Sequence, residues 1–173
     1  MNGTAITRRT ARRVFAVSFV LNLVWENVQA PLYHPYRSFW SHLPACLLGT
    51  LGDASFTTLL YLGLVRARRD PQWFTRPSRS TWTVAAIVGL LVAVVTEVIA
   101  VRREFWAYGP RMPRLPLLNA GVTPLVQLAL LSIMTFKLLH LTGLVDDLGA
   151  CHGSQAAEQK RPKARGTAAA RKR

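Results

Sequence analysis

The sequence predicts an all-α polytopic membrane protein, a bundle of four transmembrane helices. Three observations lead there. Four runs of about 20 mainly apolar residues are present, the length a helix needs to cross a bilayer. Within the first two runs the polar side chains recur at helical spacing, so the rest of the surface can face lipid, and the other two each carry a polar intrusion. The basic residues, 22 Lys+Arg against 8 Asp+Glu in 173 residues, lie mainly in the segments between the runs. A formal charge of +14 would also fit nucleic-acid binding. Here the charge sits in tails and loops, as the positive-inside rule arranges it, and no nucleic-acid partner is expected.

Residues 1–13 form a basic N-terminal tail with Arg8, Arg9, Arg12 and Arg13. Val28-Gln29-Ala30 resembles a signal-peptidase site, but Pro31 follows it and opposes cleavage, so the first span, about 14–32, is expected to stay. Tyr33 to Pro44 is a short loop whose aromatic residues suit a membrane–water interface. The second span covers about 45–65. Its polar residues Thr50, Asp53, Thr57 and Tyr61 share one face. Arg66 to Ser80 is an arginine-rich loop. The third span, about 81–101, carries Ala85, Gly89 and Ala93 at steps of four before Glu97, a row of small residues that lets another helix approach closely. Pro110, Pro113 and Pro116 forbid a regular helix in the next connection. Thr123-Pro124 reads as a cap with a first-turn proline. The fourth span follows, about 123–141, and completes a transmembrane domain over 14–145. Residues 146–173 form a basic tail, expected to be disordered and to lie near anionic lipid headgroups.

The N-terminal tail, the second loop and the C-terminal tail hold most of the basic residues, so both termini are expected in the cytoplasm. Arg102, Arg103, Arg111 and Arg114 in the third loop go against that rule and call for another role. Cys46 and Cys151 fall on opposite sides and cannot pair within one chain. His34 and His42 have no third ligand at metal spacing. No motif implies a metal or a cofactor.

The feature that needs explaining is Glu26. A carboxylate at the centre of a span costs about 2.5–3.5 kcal/mol on insertion scales. Ser18, Asn22, Glu26 and Gln29 lie within roughly an 80° arc of one helix. In the four-span topology Glu26, Asp53, Glu97 and Gln127 all fall roughly 6–12 Å below the outer surface. The cytoplasmic half offers little besides Ser18, Thr58, Tyr61 and Thr135, so a channel, polar through its full depth, is not expected.

Carboxyls in low dielectric hold their protons more tightly and can act as acids near pH 7, while a neighbour kept ionised acts as base. Aromatic faces stabilise a cationic intermediate. The candidate catalytic residues are Glu26, Asp53 and Glu97. Asn22, Gln29 and Gln127 are candidate orienting partners, with Trp25, Trp106 and Tyr108 as aromatic surfaces. Arg111 and Arg114 are candidates to hold an anionic headgroup or to pair with the carboxylates. Such equipment fits protonation-driven cyclisation or isomerisation of an apolar lipid. The competing reading is structural: the polar groups glue the helices, and the chain is a non-enzymatic subunit or assembly factor with a membrane-protein partner or a second copy of itself.

The combination Asn-x-x-Trp-Glu-x-x-Gln-x-Pro-Leu-Tyr at 22–33, Gly52-Asp53, Trp106-x-Tyr108-x-x-x-Met112-Pro113 and Pro124-x-x-Gln127 resembles a family of small bacterial four-span membrane proteins of unassigned function, over about residues 14–141. That resemblance implies the bacterial inner membrane. Trp106-x-Tyr108 followed by a loop and Pro124 is similar, over about 30 residues, to membrane-embedded lycopene cyclase domains and related intramembrane terpene cyclases. Those domains place two acidic residues just after the proline, where this chain has Leu125-Val126-Gln127. The second resemblance implies an isoprenoid substrate.

Overall fold

The computed structural model describes residues 3–142. Four helices dominate it: α1 (Gly3–Gln29), α2 (Phe39–Arg68), α3 (Arg79–Arg102) and α4 (Val122–Leu141). The last three are long and apolar enough to cross a membrane. α1 is long enough too, but the arginines of its first half and Asn22, Glu26, Asn27 and Gln29 at its end lower its apolar density. The predicted tail at 146–173 and Cys151 lie outside the described residues.

Helix bounds differ from expectation where a local rule was overridden. Residues 3–13, read as a tail, continue α1 without a break. α2 starts before Pro44 rather than after it. Ser38 accepts from the backbone N–H of Ser41, and the Ser41 hydroxyl accepts from that of Ser38, a capping box that sets the helix start. Pro44 therefore sits inside the helix, at the cost of one backbone bond. α4 starts at Val122 with Gly121 as its cap. Thr123 is not the cap: its hydroxyl faces the Met112 sulfur at 3.3 Å.

α1 packs mainly on α2 and α3 on α4, and contacts between α1 and α4 join the two pairs. Ala85, Gly89 and Ala93 are buried, and their row is used inside the chain, against α4. A Cβ on Gly89 would lie 2.8 Å from the Cα of Ala129, so only glycine permits this approach.

The two ends of the bundle are built differently. At the end carrying the 69–78 connection, Tyr61, Phe74, Phe136 and Leu139 are fully enclosed, with Trp73 beside them. Trp73 and Phe136 meet edge-on at 5.0 Å between ring centroids. The Tyr61 hydroxyl donates to the Pro71 carbonyl at 2.9 Å, fastening the connection to α2. At the other end, two short antiparallel ladders tie the connections together. β1 (Tyr33–His34) pairs with β2 (Ala107–Tyr108), placing Tyr33 opposite Tyr108. β3 (Arg114–Leu115) pairs with β4 (Ala120–Gly121). Both segments had been expected as plain loops. The first ladder joins segments more than 70 residues apart and brings two tyrosines over the polar ends of the helices.

Candidate functional site

The polar stripe of α1 faces α2 and α4, and Gln127 is its focus. The Gln127 side-chain Nε2 reaches Asp53 Oδ2 at 2.6 Å, Glu26 Oε1 at 2.8 Å and Asn22 Oδ1 at 3.1 Å. One amide nitrogen has two protons for these three acceptors, so they compete. The Gln127 carbonyl accepts from Gln29 Nε2 at 2.8 Å, and the same nitrogen lies 3.2 Å from Glu26 Oε1. The Trp25 indole donates to Gln29 Oε1 at 3.1 Å. Asn22 donates to the Ser18 carbonyl and hydroxyl at 2.9 and 3.1 Å. Three helices thus supply one connected set: Ser18, Asn22, Trp25, Glu26 and Gln29 from α1, Asp53 from α2, and Gln127 from α4.

Asn22, Gln29 and Gln127 are buried, whereas Glu26 and Asp53 are only half-buried. The carboxyls are the reachable members, and the amides that hold them are not. Gly49 of α2 makes room for Glu26, since a Cβ there would lie 3.3 Å from the carboxyl carbon. The Cys46 thiol lies 3.7 Å from the Glu26 carbonyl. It is buried and unpaired among the described residues.

Glu97 is brought to the same end but joins a different set. Its Oε1 accepts a short hydrogen bond from the Tyr108 hydroxyl and a longer one, 3.4 Å, from the Trp106 indole. The backbone N–H of Gly121 donates to the Tyr108 hydroxyl at 2.7 Å, which holds the phenol in place. The single meeting point read from the sequence is therefore two adjacent sets.

Tyr33 stands between them, and the sequence reading did not select it. Its ring meets Trp106 edge-on at 6.3 Å and Tyr108 at 5.9 Å. Burial pushes its hydroxyl well above the ordinary tyrosine value, and nearby Glu97, Glu26, Tyr108 and Asp53 push it further. The Tyr108 hydroxyl is also raised, by burial and by Glu97. Tyr33 ends the Pro-Leu-Tyr run, so its place in the motif was visible. Its role depends on the ladder with β2, which no local pattern announces.

Of the two roles considered for the arginines, pairing with a carboxylate is not the one Arg114 takes. Arg114 donates to the Tyr108 carbonyl at 3.2 Å and lies over the Tyr108 ring at 5.1 Å, rather than pairing with a carboxylate. Arg111 is exposed. The donors to Glu26, Asp53 and Glu97 are amide, indole and phenol groups. Among the described residues no group of three or more His, Cys, Asp or Glu could hold a metal ion. Two open clefts, about 600 and 300 Å³, lie at the aromatic end, away from these carboxyls. Comparison with protein families, curated proteins and solved structures finds no match for this chain.

Proposed function

We propose that the chain is a four-span protein of the bacterial inner membrane, with both termini cytoplasmic, that binds an apolar lipid of isoprenoid type and transforms it by acid–base chemistry. The observation that carries this reading is the pair Glu26 and Asp53, held 2.8 and 2.6 Å from one Gln127 nitrogen with no cation among their donors in the described residues. An ion pair would tie up a carboxylate, whereas an amide leaves it able to take or give a proton. One carboxyl donates a proton to an alkene, the Tyr33, Trp106 and Tyr108 faces stabilise the cation formed, and the other carboxyl removes a proton to end the reaction. Glu97, held by Tyr108 and Trp106, is the third carboxylate of the site. The half-buried carboxyls are the members of the set that a lipid could reach. The isoprenoid class rests on the terpene-cyclase-like Trp106-x-Tyr108 motif.

A second reading has its own observation. The carboxyls are engaged with protein donors, and the clefts of about 600 and 300 Å³ lie at the other end. That arrangement suits a non-enzymatic subunit whose polar groups fix the helices.

The two readings separate on Glu26→Gln, purified in native lipid and examined by native mass spectrometry and thermal unfolding. A catalyst retains a polyprenoid as wild type, loses its conversion in the variant, and keeps its stability, because the amide preserves shape but supplies no proton. Absence of any bound apolar lipid, with full complementation of a deletion strain by the variant, would overturn the catalytic reading. Orientation is tested by labelling single cysteines at positions 40 and 76 from outside intact cells: position 40 should react, and reaction at 76 would reverse the topology.

A further inference from the structure

At the aromatic end, where the start of α1 passes the end of α2, the surface opens into a groove of about 600 Å³. That is within the ~300–1,000 Å³ typical of small-molecule sites. Its floor is apolar: Ala11 from α1, with Leu62 and Val65 from α2. Its rim carries three arginines, Arg8, Arg66 and Arg69, and no carboxylate is among the lining residues. Gly3 and Thr4, the first residues of α1, close one side, and the first turn of that helix contains no acidic residue. Arg69 has a left-handed backbone, φ 55°, which ends α2.

We propose that this groove is a binding site for one anionic membrane phospholipid. The phosphate sits among Arg8, Arg66 and Arg69, and an acyl chain lies along Ala11, Leu62 and Val65. The apolar floor decides against a free phosphate as the occupant: an inorganic anion gains nothing from Leu62 and Val65, while an acyl chain does. Charge complementarity decides against a zwitterionic lipid, whose ammonium would meet three guanidiniums. A guanidinium fork also matches phosphate geometry better than an ammonium would. The proposal rests on the spanning reading, because only a chain set in a bilayer presents this end at headgroup depth. It is independent of any chemistry at Glu26.

The test uses the full chain in nanodiscs of phosphatidylcholine mixed with phosphatidylglycerol, with retained lipid counted by native mass spectrometry. Wild type should retain phosphatidylglycerol selectively. The triple variant Arg8→Gln/Arg66→Gln/Arg69→Gln should lose about 100-fold in that affinity, which is about 2.8 kcal/mol at 1.4 kcal/mol per tenfold. A control, Arg68→Gln/Arg76→Gln/Arg79→Gln, removes equal charge from the same end outside the groove and should change retention far less. Leu62→Trp keeps every charge, blocks the floor and should also lower retention. Equal losses in the two triple variants, no effect of Leu62→Trp, or displacement of the lipid by added inorganic phosphate would each overturn the site. Resistance of the chain to carbonate extraction keeps the outcomes apart. A resistant chain that retains no phosphatidylglycerol overturns the groove alone, and a chain released by carbonate overturns the spanning reading with it.

Discussion

The two ends of this bundle hold the same four helices by different means. At the aromatic end, Tyr61, Trp73, Phe74 and Phe136 interlock ring against ring, and the Trp73 indole nitrogen is buried there without a partner among the described residues. At the other end, side-chain amides, indoles and phenols hold carboxyls, and two short ladders cover them. Mid-bundle, the Thr57 and Ser132 hydroxyls meet at 3.0 Å and mark the change from one mode to the other. The difference teaches how a small helical bundle can carry acids whose donors are uncharged: packing at one end secures the helices, which frees the other for groups that cost stability. Interlocked rings lose much when one is removed. Hydrogen bonds among helices contribute modestly, since an opened site finds other partners.

The largest effect should therefore come from the end without chemistry. Phe136 is completely buried and contacts Trp73, Phe74 and Trp82. Phe136→Ala should cost about 3–5 kcal/mol, the range for deleting a buried aromatic ring. Thermal unfolding in detergent or nanodiscs measures it. A loss under about 1 kcal/mol would show that the aromatic end does not hold the bundle, and the contrast would fail at its stronger side.

A smaller effect is expected at the focus of the polar end. Gln127→Leu keeps the approximate volume but removes the donor shared by Glu26 and Asp53 and the acceptor used by Gln29. Unmet buried polar groups cost about 1–3 kcal/mol each, and the two half-buried carboxyls recover part of that from their surroundings. A total loss of about 1–3 kcal/mol is expected. Gln127→Leu combined with Asp53→Asn should recover part of it, because one of the unmatched carboxylates is gone. Lack of recovery would mean that Gln127 acts through packing and not through the acids. Glu26→Gln should come out neutral or slightly stabilising if Glu26 serves only to fix the helices, as it removes a carboxylate from the end of α1.

Much of this contrast was legible in the sequence, unevenly. The stripe Ser18, Asn22, Glu26 and Gln29 follows from 100° per residue alone, and it does face Asp53 and Gln127. Asp53 and Gln127 were found by equal depth, a property that needs only helix rise and approximate ends. The tyrosine arrangement was not legible, because the ladder between β1 and β2 spans two connections and each strand has only two residues. Pro44 misled about the start of α2, where the capping box at Ser38 and Ser41 outweighed a single proline. Glu97 was placed at the right end, but its partners lie in a proline-rich connection whose path periodicity cannot trace.

The smallest effect sharpens the polar side of the comparison, and it is confined to alkaline pH. Tyr33 is raised from 10.0 by burial first, then by Glu97, Glu26, Tyr108 and Asp53. An unfolded chain releases this proton near pH 10, while the folded chain keeps it to higher pH. Above pH 10 the unfolded state therefore binds fewer protons than the folded one, and stability falls as pH rises. Below pH 10 the contribution is fully present and flat. The slope from one such group is at most about 1.4 kcal/mol per pH unit. Tyr33→Phe should leave unfolding at pH 7 nearly unchanged and make the decline above pH 10 shallower than in wild type. Tyr108→Phe should differ in kind. It also removes a raised phenol, but it breaks the bond to Glu97 and the one from Gly121, so stability drops at every pH. Matching alkaline slopes in wild type and Tyr33→Phe would place the Tyr33 hydroxyl away from the carboxyls, and the link between the Glu26 and Glu97 sets would then be lost.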